Sequence, residues 1–271
     1  MLKFVSFSSG SCGNCSMLYS HSDDLAIADS AILIDAGVSL RSLRATLTSL
    51  GMGFDSLKAV LVTHDHWDHI RSLASYCKRL SVPVYATTEL HQAMSGHFAC
   101  ADVIAPCRKD LREGEWNDVA GFYVRYFIVP HDATQTVGFA IRSGGNSFSI
   151  MTDVGRITDE AVEFARESDS VVIESNYDVD MLMSGPYPHD LKMRICQGHG
   201  HLSNDQCAEA VKRFYHPGLR NLFLCHLSEH NNTPSIAYKT VSEALSQIGV
   251  PQGAISLRTL PRGIPTPLIS L

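Results

Sequence analysis

The feature that most constrains this chain is the segment Thr63–His69, which reads THDHWDH and carries four ligand-type side chains within six residues. It follows an apolar, β-branched run, Ala59–Val62, that is typical of a buried strand. After the segment, apolar residues recur at helical spacing from Ile70 to Leu80, which predicts a helix over that range. The segment therefore joins the end of a strand to the start of a helix.

The spacing of these side chains indicates a metal site. In an extended turn His64 and His66 point to the same side, because side chains along an extended chain alternate with a period of two. Asp68 and His69 lie where the chain curls into the helix, and from there they can reach a neighbouring point. This arrangement suits two adjacent metal ions. The alternative for the segment taken alone is a solvated polar loop.

The length and composition fit one globular unit. With 271 residues, 45% of them hydrophobic, the chain can bury a sizeable core. No linker or repeat divides it, so we expect a single domain over residues 1–271. It contains no run of eighteen apolar residues, which argues against a membrane span. The N-terminal run Met1–Phe7 predicts a strand rather than a signal peptide, and we expect a cytoplasmic protein.

The net charge limits the classes of substrate. Lys and Arg number 22 against 28 Asp and Glu, which gives −6 at pH 7 with neutral histidines. This balance argues against a general polyanion-binding surface. A nucleic-acid substrate remains open if bound cations and local basic residues offset the acidic balance at the site.

Strand and helix patterns alternate along the chain. Strand-like runs come partly in pairs and partly separated by helical patterns, which predicts an α/β protein with two mixed β-sheets covered by helices. Two helix starts are well marked. Ser203 and Gln206 form a capping-box pattern, and Thr233–Pro234 places a cap residue before a proline at the first helical position.

Further ligand-type residues close strand-like runs. Three strand-like runs are each followed, one or two residues later, by a residue that could bind metal. These residues are His131, Asp153 and His226. Loops meet at strand ends, and open α/β sheets collect their functional residues there. An isolated histidine in this place is more often structural. Together with the first motif, however, the set comprises five His and two Asp, which suits divalent Zn, Mn or Fe.

These residues together resemble the metallo-β-lactamase superfamily, whose motifs are an Asp after an early strand, H-x-H-x-D-H, a His, an Asp and a final His. The corresponding residues here are, in order, Asp35, His64, His66, Asp68, His69, His131, Asp153 and His226. The resemblance implies a four-layer αββα sandwich of two mixed β-sheets flanked by helices.

A narrower resemblance is to the YycJ/WalJ-like branch of that superfamily. It is carried by the motifs SGSCGN, PHDA, ESN, GHLSN and HLSEHNN, which begin at Ser9, Pro130, Glu174, Gly200 and His226. That branch is associated with 5′-to-3′ exonuclease activity on double-stranded DNA. The resemblance therefore implies a nucleic-acid substrate.

Within this resemblance each residue has an implied role. One ion is held by His64, His66 and His131, and the other by Asp68, His69 and His226. Asp153 bridges the two ions, and Asp68 is counted with the catalytic residues as well. Asp35 holds the motif loop without binding metal.

The chemistry expected of such a site is phosphodiester hydrolysis. Two adjacent cations lower the pKa of a shared water from about 16 toward about 7, which gives a metal-bridging hydroxide as the nucleophile. The leaving alkoxide needs a proton donor, and His201 is the candidate; alternatively, His201 braces the helix that follows it. The hypothesis is a dinuclear metal-dependent phosphodiesterase, and more narrowly a 5′-to-3′ DNA exonuclease.

Two other functions remain open. The first is hydrolysis of a small ester, thioester or cyclic phosphodiester by the same fold, because enzymes of that kind are compact and acidic like this chain. The second is a metal-stabilised regulatory or DNA-binding module without catalysis. The complete ligand set argues against the second.

Four residues are candidates for binding phosphate or substrate. The small residues of the turn 9–14, with Ser11 and Asn14, could present amides as an anion nest; an ordinary hairpin turn fits equally well. The helix that follows Ser203 offers free amides and a positive dipole end. Asn176, in the ESN motif, completes this set.

Overall fold

Two β-sheets of seven strands each form the centre of the computed structural model, which describes residues 1–21 and 29–271. The first sheet contains β1 (Leu2–Ser8), β2 (Cys15–Ser20), β3 (Ser30–Ile34), β4 (Leu57–Leu61), β5 (Val84–Ala86), β6 (Arg108–Asp110) and the last strand of the chain, β14 (Ile269–Ser270). The second contains β7 (Asn117–Val119), β8 (Phe122–Val129), β9 (Thr136–Ser143), β10 (Asn146–Met151), β11 (Ser170–Glu174), β12 (Asn221–Cys225) and β13 (Ser256–Thr259).

Both sheets are mixed. The first has the order β14-β1-β2-β3-β4-β5-β6 and is antiparallel from β14 to β3, then parallel from β3 to β6. The second has the order β13-β12-β11-β10-β9-β8-β7 and is parallel from β13 to β10, then antiparallel to β7. Parallel neighbours present their carboxyl ends at the same edge. Each sheet therefore gathers several strand ends on one side.

Helices cover the outer faces of the two sheets. They are α1 (Leu40–Ser49), α2 (Trp67–Ile70), α3 (Leu73–Leu80), α4 (Thr88–Gly96), α5 (Asp159–Arg166), α6 (Val179–Ser184), α7 (His189–Cys196), α8 (Asn204–Phe214) and α9 (Pro234–Gln247). The buried residues of α1, α3 and α4 pack with the first sheet, and those of α5, α8 and α9 pack with the second. None of these helices, within the described residues, is long and apolar enough to cross a membrane.

The two sheets face one another through aromatic side chains. The ring of Phe4 in β1 lies 5.4 Å from that of Phe148 in β10 and 5.1 Å from that of Phe223 in β12. All three side chains are fully buried, and burial of each stabilises the fold by roughly 1.5–3 kcal/mol. The layers are therefore helix, sheet, sheet, helix, and the predicted αββα sandwich is confirmed.

Some local predictions hold and others are wrong. The capping box at α8 is present, because Ser203 Oγ accepts from Gln206 N at 3.1 Å while Gln206 Oε1 accepts from Ser203 N at 2.9 Å. The single helix predicted from Ile70 to Leu80 is wrong. The chain forms α2, turns, and starts α3, because Ser72 N donates to Ala36 O at 3.0 Å instead of continuing the helix.

Candidate active site

The segment Thr63–His69, the motif loop, runs from the carboxyl end of β4 into α2 and is fixed by backbone hydrogen bonds from three other segments. Val137 N donates to Thr63 O, Asn14 N to Asp68 O and Ala36 N to His69 O, at 2.7–2.9 Å. The donors belong to β9, to the turn after β1 and to the loop after β3. Both sheets thus determine where the side chains of this loop lie.

Gly37 allows the loop after β3 to pass directly beside the motif. A Cβ atom at this position would lie 1.9 Å from Asp68 O and 2.3 Å from Asn14 N. Neither neighbour is a flexible side-chain end, so any larger residue would have to displace backbone. The close approach of the two loops therefore requires glycine.

Three strand-end residues share an uncommon backbone conformation. Asp35, Asp153 and His226, which follow β3, β10 and β12, have φ of 63°, 56° and 55°. Asp and His tolerate this left-handed region better than most residues other than glycine, but it still costs about 1–3 kcal/mol, and such strain concentrates at functional sites. All three side chains are buried in the same place.

The structure brings together all the residues that the sequence predicts as metal ligands. Potential ligand atoms lie within 4.8 Å of one another in each of three overlapping groups: His64, His66 and His131; Asp68, His69 and His226; and His64, His69 and Asp153. We refer to these residues as the His/Asp cluster.

Asp153 lies between the two main groups of the His/Asp cluster. Its Oδ2 is 3.2 Å from His69 Nε2, and its Oδ1 is 3.7 Å from His131 Nε2. Its Oδ1 also lies 3.5 Å from His226 Nδ1, so the carboxylate faces residues of both groups. This is the geometry of a residue that two ions could share.

Hydrogen bonds at Nδ1 orient four of the histidines. The Nδ1 of His69 donates to Asp35 Oδ2 at 2.7 Å, that of His131 to Gly200 O at 2.8 Å, and that of His226 to Glu174 Oε1 at 2.9 Å. His64 Nδ1 lies 3.0 Å from Thr63 Oγ1. In the neutral tautomer with the proton on Nδ1, Nε2 of each ring presents a lone pair.

The Nε2 atoms of His64, His131 and His226 are buried and have no hydrogen-bond partner among the described residues. A buried polar atom without a partner is destabilising unless something else satisfies it. Here the three atoms face carboxylates in a set of imidazole and carboxylate donors. The residues present therefore fit a divalent cation. His66 is more exposed, and its Nε2 lies 3.2 Å from Asp132 O.

Asp35 faces the motif loop. Its Oδ1 accepts from Thr63 N at 2.8 Å, and its Oδ2 accepts from Thr63 Oγ1 at 2.8 Å and from His69 Nδ1. Both oxygens are engaged with protein donors. These contacts fix the start of the loop and the ring orientation of His69.

The His/Asp cluster attracts positive charge. Burial acts to lower the pKa of His69, but Asp35 and Asp153 outweigh it and raise that pKa to about 10. Burial acts to raise the pKa of Asp153, but His226 and His69 outweigh it and hold that pKa well below its usual value. The buried carboxylate thus stays ionised and needs cationic partners around it.

Glu174, the last residue of β11, is a site residue that the sequence reasoning missed. Its Oε1 accepts from Nδ1 of His201 at 2.7 Å and of His226 at 2.9 Å. Burial acts to raise the pKa of Glu174, but the charge of His201 and hydrogen bonds from both histidines lower it to about 2. Its position at a strand end, next to Ser175 and Asn176, is the signal that could have identified it.

Two adjoining cavities open beside the cluster. The first, of about 200 Å³, is lined by cluster residues together with His201 and Leu191. The second, of about 240 Å³, shares His201 and His226 with the first and extends to Arg262. Nδ1 of His201 is hydrogen-bonded to Glu174, so its Nε2 lies at the opposite edge of the ring. The His201 side chain lines both cavities.

The four residues predicted to bind phosphate or substrate divide into two pairs. Ser11 lines both cavities, and Asn176 lines the second. Asn176 also supports the site, since its Nδ2 donates to His226 O at 2.7 Å.

The other pair lies outside both cavities. Asn14 is buried: its Oδ1 accepts from Gly10 N at 2.7 Å, and its Nδ2 donates to Asp68 Oδ2 at 3.0 Å. Ser203 is buried too, and its hydroxyl caps α8. Neither lines the two cavities, because their polar groups are already satisfied inside the protein.

Comparison with known proteins agrees with this fold. The Beta-lactamase superfamily domain family matches residues 30–227. Exodeoxyribonuclease WalJ of Streptococcus pneumoniae serotype 2 is 30% identical over 245 residues, covering 90% of this chain and 88% of that protein. Exodeoxyribonuclease YycJ of Bacillus anthracis is 30% identical over 248 residues, covering 92% and 90%. The crystal structure of the metallo-beta-lactamase fold protein YhfI from Bacillus subtilis gives a TM-score of 0.68 at 15% identity, covering 98% of this chain and 100% of that one.

A buried His/Asp cluster at one edge of two mixed sheets, in a chain with these relatives, defines a metal-dependent hydrolase. The chain belongs to the metallo-β-lactamase superfamily, in its YycJ/WalJ-like branch.

Proposed function

We propose that this protein is a dinuclear metal-dependent phosphodiesterase of the cytoplasm that removes nucleotides from the 5′ ends of double-stranded DNA. Two relatives, each 30% identical over most of the chain, are named exodeoxyribonucleases. The observation that carries the proposal is the opening of the His/Asp cluster into two joined cavities that His201 also lines, with its Nδ1 3.9 Å from Asp153 Oδ1. A phosphodiester in these cavities would lie beside both the proposed metal ligands and the proposed proton donor.

The residues proposed to hold the two ions follow the groups seen in the structure. His64, His66 and His131 hold one ion, Asp68, His69 and His226 hold the other, and Asp153 serves both. Divalent Zn, Mn or Fe, when bound, supplies an activated water and withdraws charge from the phosphodiester oxygen. Asp68 lines the first cavity, and its Oδ2 accepts a hydrogen bond from Asn14 Nδ2. This position suits a residue that both binds a metal ion and orients the substrate.

His201 is proposed to protonate the leaving oxygen. Burial acts to lower the pKa of His201, but Glu174 and Asp153 outweigh it and raise that pKa. The protonated ring is therefore favoured to a higher pH than in a free histidine. The proton on Nε2 passes to the departing nucleotide oxygen, which leaves as a hydroxyl group instead of a strongly basic alkoxide. Glu174 retains the ring in position throughout, because it binds the opposite nitrogen.

A substrate panel tests the proposal. The metal-loaded protein is incubated with a 5′-phosphorylated DNA duplex, with bis(p-nitrophenyl) phosphate and with a thioester. We expect mononucleotides from the duplex, slower cleavage of the small diester, and no cleavage of the thioester. An intact duplex beside rapid thioester cleavage would overturn the proposal.

The second candidate function is hydrolysis of a small ester, thioester or cyclic phosphodiester. It is favoured by the net charge of −6 and by cavities of only about 200 and 240 Å³. The same panel separates it from the first, because a small-molecule hydrolase would cleave the small substrates and leave the duplex intact.

A further inference from the structure

The second cavity ends at a cation that the proposed chemistry does not use. Arg262 lies in the segment between β13 and β14, beyond residues 30–227 that match the family. Its Nη1 donates to Leu227 O at 3.1 Å, directly after His226. Its side chain also passes over Gly10, where a Cβ would come within 3.2 Å of Arg262 Cγ and Nη1. The guanidinium is thus held beside the active site from two directions.

We propose that Arg262, with Ser11 and Ser228, binds the 5′-terminal phosphate of the substrate. This inference rests on the proposed function and assigns the second cavity to recognition of the strand end. The three side chains line that cavity, and His201 and His226 line it too. A terminal phosphate at Arg262 therefore lies beside the place where the next phosphodiester along the strand would react.

Arg262 has hydrogen-bonding capacity to spare. A guanidinium carries five N–H donors, and the described contacts use Nη1 for Leu227 O and Nη2 for Glu229 Oε2 at 2.9 Å. The Glu229 side chain is 64% exposed, whereas that of Arg262 is 23% exposed. An exposed ion pair of this kind is weak, so a phosphate can displace Glu229 from the guanidinium.

The chemistry of the cavity favours a terminal phosphate over an internal one. A phosphate monoester carries a charge of about −1.5 to −2 at neutral pH, whereas an internal phosphodiester carries a single negative charge. Arginine binds phosphate through two parallel hydrogen bonds. Among the residues that line the second cavity, Arg262 is the one with a permanent positive charge, and the hydroxyls of Ser11 and Ser228 can donate to the remaining phosphate oxygens.

The test compares duplexes that differ only in a 5′-phosphate or a 5′-hydroxyl. We expect the wild-type protein to have a lower KM for the phosphorylated duplex. Arg262→Gln should raise KM for that duplex by about 10- to 100-fold, the range of charge-assisted hydrogen bonds, and leave KM for the 5′-hydroxyl duplex nearly unchanged. Arg258→Gln, an exposed arginine on β13, is the matched control and should keep the wild-type ratio.

A second variant distinguishes recognition from a structural role. Glu229→Gln removes the carboxylate that competes for Arg262, so it should increase the preference for the phosphorylated duplex. If Arg262 only held the backbone at Leu227, Glu229→Gln would not increase that preference. Arg262→Gln would then raise KM equally for both duplexes. Either result would overturn the inference. Thermal unfolding of each variant checks that the fold is intact.

A binding measurement separates failure of this inference from failure of the proposed function. Fluorescence anisotropy follows the same two duplexes with a non-hydrolysable methylenephosphonate as the first linkage. If the protein cleaves no DNA, the proposed function fails. If it cleaves DNA but binds the two ends equally in wild type and in Arg262→Gln, only the phosphate site fails.

Discussion

One carboxylate oxygen connects the proposed proton donor to a proposed metal ligand: Glu174 Oε1 lies 2.7 Å from His201 Nδ1 and 2.9 Å from His226 Nδ1. Glu174 Oε2 accepts from the amides of Val154 and Leu202 at 2.9 and 3.1 Å. The carboxylate is therefore held by backbone on one side while it orients two rings on the other. The same carboxylate thus links the ring orientations of His201 and His226.

Replacement of His201 tests the proton donor. Because a general acid typically contributes about 10²–10⁴-fold, His201→Ala should lower kcat on DNA by about that factor while the metal content stays unchanged. The loss should shrink on bis(p-nitrophenyl) phosphate, whose leaving group needs little protonation. His199→Ala is the control, since His199 is exposed and outside both cavities. An equal loss of kcat on both substrates would show that His201 has only a structural role.

Replacement of Glu174 should shift the pH dependence. Glu174 raises the pKa of His201, and activity that needs the protonated ring is lost as pH rises through that pKa. Glu174→Gln lowers the pKa of His201, so the alkaline limb of the kcat profile should move to lower pH. The rate should also fall by about 10- to 100-fold, as for other residues that orient metal ligands. An unchanged alkaline limb would show that His201 does not set it.

Replacement of Asp153 tests the sharing of two ions. The Asp153 carboxylate faces residues of both groups of the His/Asp cluster, so Asp153→Ala should reduce the metal content by more than one equivalent per chain. Elemental analysis of the purified protein measures this, with Asp159→Ala, an exposed aspartate on α5, as control. A variant that retains both ions would show that Asp153 is not the bridge.

The contact of Gly37 with the motif loop predicts a stability effect. A Cβ there would overlap Asp68 O at 1.9 Å, so Gly37→Ala should lower the free energy of unfolding by about 1–3 kcal/mol, as overpacking does. Gly96, at the end of α4, has nothing within 4 Å of its Cβ position, so Gly96→Ala should be neutral or slightly stabilising. Denaturant unfolding compares the two variants, and equal stabilities would contradict the steric argument.

The residues that could be predicted from the sequence are those whose spacing or strand-end position is visible in one dimension. His64 and His66 alternate in one segment, and Asp153 and His226 each follow an apolar run. Such patterns also predicted the two mixed sheets. The short strands β6, β7 and β14 have two or three residues each, too few for a hydrophobic period, and they were missed.

The residues whose roles were not predicted take those roles from contacts distant in sequence. Glu174 meets His226 across 52 positions, and Asn14 meets Asp68 across 54. A lone Asn gives no periodic signal, so the sequence left an anion nest and an ordinary hairpin turn equally open for the turn that contains Asn14 and did not predict the contact of Asn14 with Asp68. Arg262 likewise reaches the site only because the chain returns after β13. The single-domain boundary at 1–271 remains a prediction.

The polarity of DNA degradation tests the central claim most directly. One duplex carries a label on its 5′-terminal nucleotides and a matched duplex carries it at the 3′ ends, and both are digested by the metal-loaded protein over a time course. We predict that the 5′ label is released at once as mononucleotide, while the 3′ label stays on strands that shorten steadily. Release of the 3′ label first, or intact strands in both duplexes, would contradict a 5′-to-3′ DNA exonuclease.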